Sequence, residues 1–462
     1  MFFVLLSSDK SIHKNMKKRS LLLAGILALS ANAFAGDYLT NTNQSVYFLR
    51  NPARQAAIGI DGVYFNPAGA AFYDEGFHFQ FNWQNARQHR DAYANYGGLY
   101  KYNFENPSPN SDGGRKFKGD VNVPIQPSLF LLYNKGDWSF QAGFGFIGGG
   151  GGCEFDDGVG SFEALVGSNG LKALGAAFAG YTLQSSVEGK SYDMGLFLTV
   201  ARKLSENLSV SLGVRGIYVT NSYTGSITGI KYKMTTGTVI DQSINPALSD
   251  LVLDCDQKGF GVAPIVGLDW KAADWVNIAA KFEFKTKLRV ESDAHNNDAF
   301  NALAASNASF SNYLDGAKTP CDMPAFACIG AQFIPFNPLR VYVGYNHYFD
   351  MDTKQWTKSM VHNTNEVTFG VEYDINDMFE VSAGFQKTMF DQTDANISDM
   401  SFNMSSYSCG FGIGVRVSPK VKINAAYFQT FYDDYTKTVA NTSVTTYSRT
   451  NRVIGLGVDI NF

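Results

Sequence analysis

The sequence predicts an all-β fold: a fourteen-stranded antiparallel transmembrane barrel with an N-terminal plug in the lumen. Three observations predict it. The composition is 14% aromatic and only 17% charged, against roughly 25% charged in ordinary soluble proteins. Apolar and polar residues alternate with period two through most of the chain. The links between the alternating segments switch strictly between short and long. The same composition excludes a disordered chain, which needs few aromatics and high net charge. A net charge of −4 argues against a nucleic-acid binder. Mean hydropathy is moderate at −0.14, and only one stretch approaches the character of a membrane helix.

That stretch, Leu21 to Leu29, follows Met16-Lys17-Lys18-Arg19 and precedes Ala33-Phe34-Ala35. A basic start, a short apolar core and small residues at −3 and −1 are the marks of a signal peptide. The core is about half as long as a bilayer span requires. Residues 1–35 are therefore expected as a signal peptide cleaved after Ala35, with Met16 as the true start, because residues 1–15 fit no part of the pattern. Residues 36–76 are then the plug and 77–462 the barrel.

The strands are expected near 77–84, 128–134, 138–147, 191–203, 207–219, 259–270, 274–286, 325–334, 338–349, 364–374, 378–388, 405–417, 420–431 and 449–462. In Phe77-His78-Phe79-Gln80-Phe81-Asn82-Trp83 one face is aromatic and the other polar. Alternation alone does not separate a soluble sandwich from a membrane barrel; the connections do. Short links such as Asn134-Lys135-Gly136-Asp137 and Asp374-Ile375-Asn376-Asp377 carry turn residues. They alternate with long loops near 85–127, 148–190, 220–258, 287–324, 350–363, 389–404 and 432–448. An even strand number with tight turns at one end is the bacterial outer-membrane arrangement. Closure also satisfies every backbone group in lipid, where an open edge is costly.

Residues 36–76 do not alternate. Asn51-Pro52-Ala53 and Asn66-Pro67-Ala68 read as turn starters, because proline fixes φ and pushes the preceding residue out of the helical region. The apolar Val63, Tyr64, Phe65 and Phe72 favour folding into the lumen, since exposure would forfeit their burial. The string Gly62-Val63-Tyr64-Phe65-Asn66-Pro67-Ala68-Gly69 resembles the Asn-Pro-Ala motif of the FadL-type long-chain fatty acid transporters. Pro127 to Phe130, Gly267 to Trp270 and Arg340 to Tyr348 resemble that family as well. The resemblance implies a fourteen-stranded barrel with an N-terminal plug, and it places Asn66, Pro67 and Ala68 in the plug near the lumen wall; these three and Gly69 are the gating candidates. Asn51-Pro52-Ala53 is a second, unexpected copy. The resemblance further implies passive uptake of hydrophobic compounds, first of all long-chain fatty acids. Ligand would be captured at the outer loops, the plug would move, and the exit would be sideways through a kink in the third strand.

Five consecutive glycines, Gly148 to Gly152, extend the third strand, and glycine within strands marks bends. Gly143, Gly145 and Gly148 are the candidates for the lateral opening, and a flexible loop after a regular strand is the plainer reading of the run. Residues 161–187 are an apolar outer loop expected to form short helices and a capture groove, with Phe162, Leu165 and Phe178 among its pocket residues. A carboxylate head group would want a cation; Arg215, Lys281 and Arg340 are the pocket candidates, with Lys285 and Arg416 also facing inward. Lumenal charges of this kind also serve solvation.

Cys153, Cys255, Cys321, Cys328 and Cys409 make no metal spacing; Cys321 and Cys328 have the spacing to bridge a loop, and free thiols are an equal alternative. No cofactor or metal is expected. No GxSxG turn and no triad neighbour for His78 or His362 supports an enzyme. An open porin or a surface receptor with a plugged barrel is the alternative function. The expected partners are hydrophobic small molecules, outer-membrane lipid and lipopolysaccharide, and the expected setting is a Gram-negative outer membrane with the chain as a monomer. The terminal Phe462 after alternating apolar residues resembles the sorting signal read by the barrel assembly machinery. Removing Phe462 is expected to reduce outer-membrane insertion, measured as the fraction of chain that reaches the heat-modifiable folded form in isolated outer membranes.

Overall fold

A computed structural model describes residues 44–241, 249–354, 362–390, 393–394, 397–439 and 443–462. Residues 1–35, expected as a signal peptide, and residues 36–43, expected as the start of the plug, lie outside these. One antiparallel sheet closes on itself through fourteen staves: β1 (Gly76–Tyr96), β2 (Arg115–Lys135), β3 (Trp138–Phe155), β4 (Phe178–Lys203), β5 (Leu208–Met234), β6 (Leu251–Ala273) and β7 (Val276–Glu283). The second half continues with β8 (Phe326–Phe336), β9 (Leu339–Tyr348), β10 (Thr364–Asp374), β11 (Phe379–Met389), β12 (Ser406–Ser418), β13 (Val421–Tyr432) and β14 (Ser443–Asn461). Four short segments extend staves beyond the bilayer rather than adding to the count. Arg289–Ala294 continues β7 along β6, Lys318–Pro320 pairs with it, Tyr435–Val439 continues β13 along β14, and Val239–Asp241 folds back on β5. The barrel closes where β1 pairs with β14, from His78 opposite Asn461 to Tyr96 opposite Ser443.

The six tight turns fall where the sequence places them, at one end together with Gly76 and Phe462. The outer ends of the first six strands run further than expected: β1 reaches Tyr96 rather than 84, and β4 begins at Phe178 rather than 191. The cause is physical. Above the bilayer the outward face no longer meets lipid, so Arg87, His89 and Asp91 take the places of Phe and Trp. The backbone ladder continues although the hydrophobic alternation stops. Within the bilayer the alternation is sharp. Leu196, Leu198, Leu212 and Phe260 stand exposed on the outside while Phe197, Thr199 and Ser211 are buried inside. An aromatic girdle of Phe77, Tyr133, Trp138, Trp270, Trp275 and Phe462 marks the turn end of the belt.

Residues 44–75 fill the lumen. Two short helices, α1 (Val46–Arg50) and α2 (Gly62–Phe65), are buried on nearly every residue. Val46, Leu49, Val63 and Phe65 join Phe130, Phe197, Ile265 and Phe428 of the wall in one apolar cluster. Phe48 stacks on Phe65 at 5.7 Å and Tyr64 meets Phe197 edge-on at 5.2 Å. Wall glycines make the room. A Cβ on Gly370 would lie 1.7 Å from Asn51 Oδ1, and one on Gly410 would lie 2.0 Å from the Leu49 carbonyl. Gly370→Val should therefore assemble a barrel whose plug is unseated, read as leak conductance in planar bilayers. Gly216→Val, whose added Cβ meets nothing closer than 3.8 Å, should stay silent; equal conductance in both variants would refute the fit.

Candidate functional site

On the outer side, α3 (Gly160–Leu174) lies over the rim formed by the raised strands. The helix expected within 161–187 is thus present, but 178–187 belong to β4 rather than to the loop. Glu163 pins α3 from below. Its carboxylate accepts from Asn103 Nδ2 at 2.8 Å, Tyr181 OH at 3.1 Å and Arg115 Nη1 at 2.9 Å. Burial pushes the Glu163 carboxyl up, and Arg115 works against that. A second helix, α4 (Asp298–Ser306), begins on an Asn297 cap whose Oδ1 accepts from the Phe300 amide at 2.9 Å. Between α3, α4 and the strand ends lies an apolar pocket of about 610 Å³ of atom-free space, mouth included. Phe162 and Leu165 line it together with Tyr223, Phe300, Phe310 and Met400. Among the described residues, no charged one lines it. Phe178 stands outside it, packed on Tyr102 and Tyr181.

Below the pocket the wall is broken. β2 and β3 pair from Lys135 opposite Trp138 up to Leu129 opposite Phe144, and then not again until Val121 opposite Cys153. Two sequence features cause the break. Pro124 and Pro127 on β2 lack the N–H a ladder needs. Gly148 to Gly152 on β3 carry two bulges against β4, with Gly149 at φ +65°. Gly145 and Gly148 lie on the unpaired stretch, whereas Gly143 lies just beneath it, still opposite Phe130. The glycines alone were singled out in the sequence; the two prolines were the missed signal, legible as donors absent from a strand. The plug covers the break. Gln44 Nε2 donates to the Phe146 carbonyl, and Ser128 Oγ donates to the Gln44 carbonyl. A Cβ on Gly145 would lie 2.2 Å from Gln44 Oε1. Higher up, Val123 packs on Gly151.

Both Asn-Pro-Ala copies dock the plug in the same way. Asn66 Oδ1 accepts from the Gly69 amide at 3.0 Å while its Nδ2 donates to Asp269 at 2.6 Å. Asn51 Oδ1 accepts from the Ala53 amide at 3.0 Å while its Nδ2 donates to Glu372 at 3.1 Å. In each case one asparagine closes its own turn and anchors it to a wall carboxylate. Pro67 and Ala68 add their carbonyls, which accept from Gln141 at 2.7 Å and Ser209 at 2.7 Å. Gly69 has no room for a side chain, since a Cβ there would meet Asn66 Nδ2 at 2.1 Å. The second anchor set is ionic: Arg50 pairs with Glu380, and Arg54 bridges Asp61 and Glu372, each at 2.9 Å.

The cations expected to meet a head group do not line the outer pocket. Arg340 is held by Asp374, Glu380 and Glu372 near the turn end. Arg215 and Lys281 share Glu283, and Lys281 Nζ also donates to the Tyr64 carbonyl at 2.6 Å. Lys285 Nζ donates to the Asp352 carbonyl and Arg416 to that of Asp377. Arg215 keeps two buried donors, Nε and Nη2, without a partner among the described residues. It stands opposite Phe197, which stands opposite Gly143, and so below the wall break. Cys321 and Cys328 are not bridged to each other.

By sequence, no family model and no curated protein matches the chain. Among solved structures, a FadL homologue of Pseudomonas aeruginosa superposes with a TM-score of 0.64 at 15% identity, over 93% of this chain and all of that one. The Pseudomonas putida toluene transporter TodX superposes at 0.57 with 13% identity, over 92% and 100%. The Ralstonia pickettii toluene transporter TbuX gives 0.55 at 15%, over 90% and 100%. The chain has the FadL-type fold. Within this fold the plug sits on buried ion pairs, and breaking one leaves a charge unpaired, which costs about 3 kcal/mol or more. Arg54→Ala should thus speed hydrogen exchange in residues 44–75 and leave the wall strands protected; unaltered plug protection would show that the pairs hold nothing.

Proposed function

We propose that the chain is a passive outer-membrane transporter of hydrophobic compounds, matured by removal of residues 1–35, with residues 36–76 as its plug. The observation that carries this reading is the pairing of an uncharged apolar pocket at the outer rim with a break in the wall below it. The break opens toward lipid, and the plug's Gln44 covers it from inside. A greasy solute gains nothing from an aqueous pore. It gains by passing from an apolar pocket straight into the bilayer, with no energy source beyond its own gradient. The proteins of known structure that share the fold, described as toluene transporters and a hydrocarbon channel, support the same class. An open porin fits poorly, because the plug separates the outer pocket from the polar vestibule of Arg340, Glu372 and Glu380 at the turn end.

Within that class, a long-chain fatty acid has one candidate counter-charge, set below the direct route from the pocket to the break. Arg215 and Lys281 share a single carboxylate, so the trio is net positive, and Arg215 has donors to spare. A carboxylate would reach them only after the plug withdraws Tyr64, which packs on Phe197. Asn66 to Gly69 would be the hinge of that withdrawal.

The lateral exit is tested by pinning the break. A Cβ on Gly151 would lie 3.8 Å from Val123 Cβ, a separation a disulfide accepts. In cells carrying Val123→Cys with Gly151→Cys, uptake of radiolabelled toluene and oleate should stop on oxidation and return on reduction. Full uptake by the oxidised form would overturn the lateral route.

A further inference from the structure

Two buried polar groups between the outer pocket and the wall break have no partner among the described residues. Tyr223 lines the pocket floor and is 1% exposed, yet its hydroxyl makes no hydrogen bond. Its ring is fixed edge-on against Tyr313 at 5.4 Å, so the hydroxyl is held in place. Asp193 is likewise 1% exposed, and neither of its carboxyl oxygens is bonded. The register places the two in sequence along one route. Tyr223 stands opposite Gly189 on β4, and Asp193 lies four residues further down β4, opposite Val219 on one side and Gly148 on the other. Gly148 is on the unpaired stretch of β3. A solute leaving the pocket for the break therefore passes Asp193 and does not reach Arg215, which is four residues lower still.

Most of the other polar groups nearby are already occupied. Ser191 Oγ donates to Asn221 at 2.9 Å, and Gln257 Nε2 donates to Ser292 at 3.0 Å. The wall below Asp193 is apolar, with Phe197, Ile217 and Val219 in the lumen cluster. No cation pairs with Asp193 among the described residues. A buried carboxyl in such a place is costly unless a donor meets it or it holds a proton.

We propose that Tyr223 and Asp193, four residues apart along the route, are successive polar contacts for a neutral hydrophobic ligand carrying a hydroxyl group, such as a phenol or a long-chain alcohol. This rests on the transport reading above and narrows it. An uncharged pocket disfavours a head group of either charge. Asp193 repels a carboxylate and, with no acid in the pocket before it, would meet a cation only after the cation had been stripped of water. A plain hydrocarbon leaves both polar groups unsatisfied, which is the stronger form of discrimination a buried site has. A hydroxyl is neutral, accepts from Tyr223 and donates to Asp193 in turn.

The test uses the full chain in detergent and three probes of one shape: 4-ethylphenol, ethylbenzene and 4-ethylbenzoate. By calorimetry the phenol should bind about tenfold tighter than either other probe. Tyr223→Phe and Asp193→Leu should each erase most of that advantage while leaving ethylbenzene binding as it was. Heat-modifiable migration verifies that each variant is folded. A benzoate preference lost in Arg215→Met, or a phenol preference intact in both variants, would overturn the site. If toluene and oleate uptake persists while the phenol shows no advantage, the site fails and the transport reading stands; if no hydrophobic probe is taken up by cells, the transport reading fails first.

Discussion

Every backbone donor and acceptor at membrane depth must find a partner inside the protein. That constraint closes the barrel, and it gives meaning to the long stretch between β2 and β3 where the ladder stops. From 122 to 128 on β2 and from 145 to 152 on β3 no cross-strand pairing exists. Prolines remove donors on one side, so the break costs less there than in an ordinary strand pair. On the other side, β3 keeps its bonds to β4 through two bulges. The remaining edge is met from the lumen by Gln44. The plug thus contributes a bond to the broken edge at Phe146, so plug and wall meet directly where the ladder stops.

The plug is held by a set of interactions that share one design. Asparagine at 51 and at 66 each spends its oxygen on its own turn and its amide on a wall acid. The turn is preformed, so little entropy is lost when it docks, and the wall acid finds a donor without a full charge. Arg50 and Arg54 add charged pairs to the same region. Replacing such pairs with apolar side chains is often neutral or stabilising. Their use here suits a part that must seat in one position against a wall already lined with carboxylates, where an apolar plug would have no register.

Much of this was legible in the sequence. The staves in the bilayer were, because lipid outside and polar lumen inside impose the alternation that runs from Phe77 to Trp83. The outer halves of β1 and β4 were not, because above the bilayer both faces of Arg87 to Tyr96 are free to be polar and the pattern ends before the strand does. Helix α3 was expected from its apolar content, and Phe162 and Leu165 do line the pocket, but Phe178 turned out to pack on Tyr102 and Tyr181. The glycine run signalled the break, while its opposite edge was hidden in two prolines whose effect needs a partner strand to be seen. The cations were the weakest inference. An inward arginine on a strand looks the same whether it waits for a ligand or holds a carboxylate, as Arg340 does, and only the neighbouring strands decide.

The same reasoning explains why the unsatisfied groups matter more than the charged ones. In a lumen crossed by Glu283, Glu372 and Glu380, a cation is the expected complement of acids already present, and its presence needs no ligand. Asp193 has no such complement among the described residues, and Tyr223 lines a pocket that is mostly apolar. Native interiors leave few polar groups unpaired, and those that remain tend to lie where a partner comes and goes. Here two of them lie in order between an outer pocket and a broken wall. The arrangement makes the chemistry of the solute legible from what the protein leaves unbonded rather than from what it binds to itself.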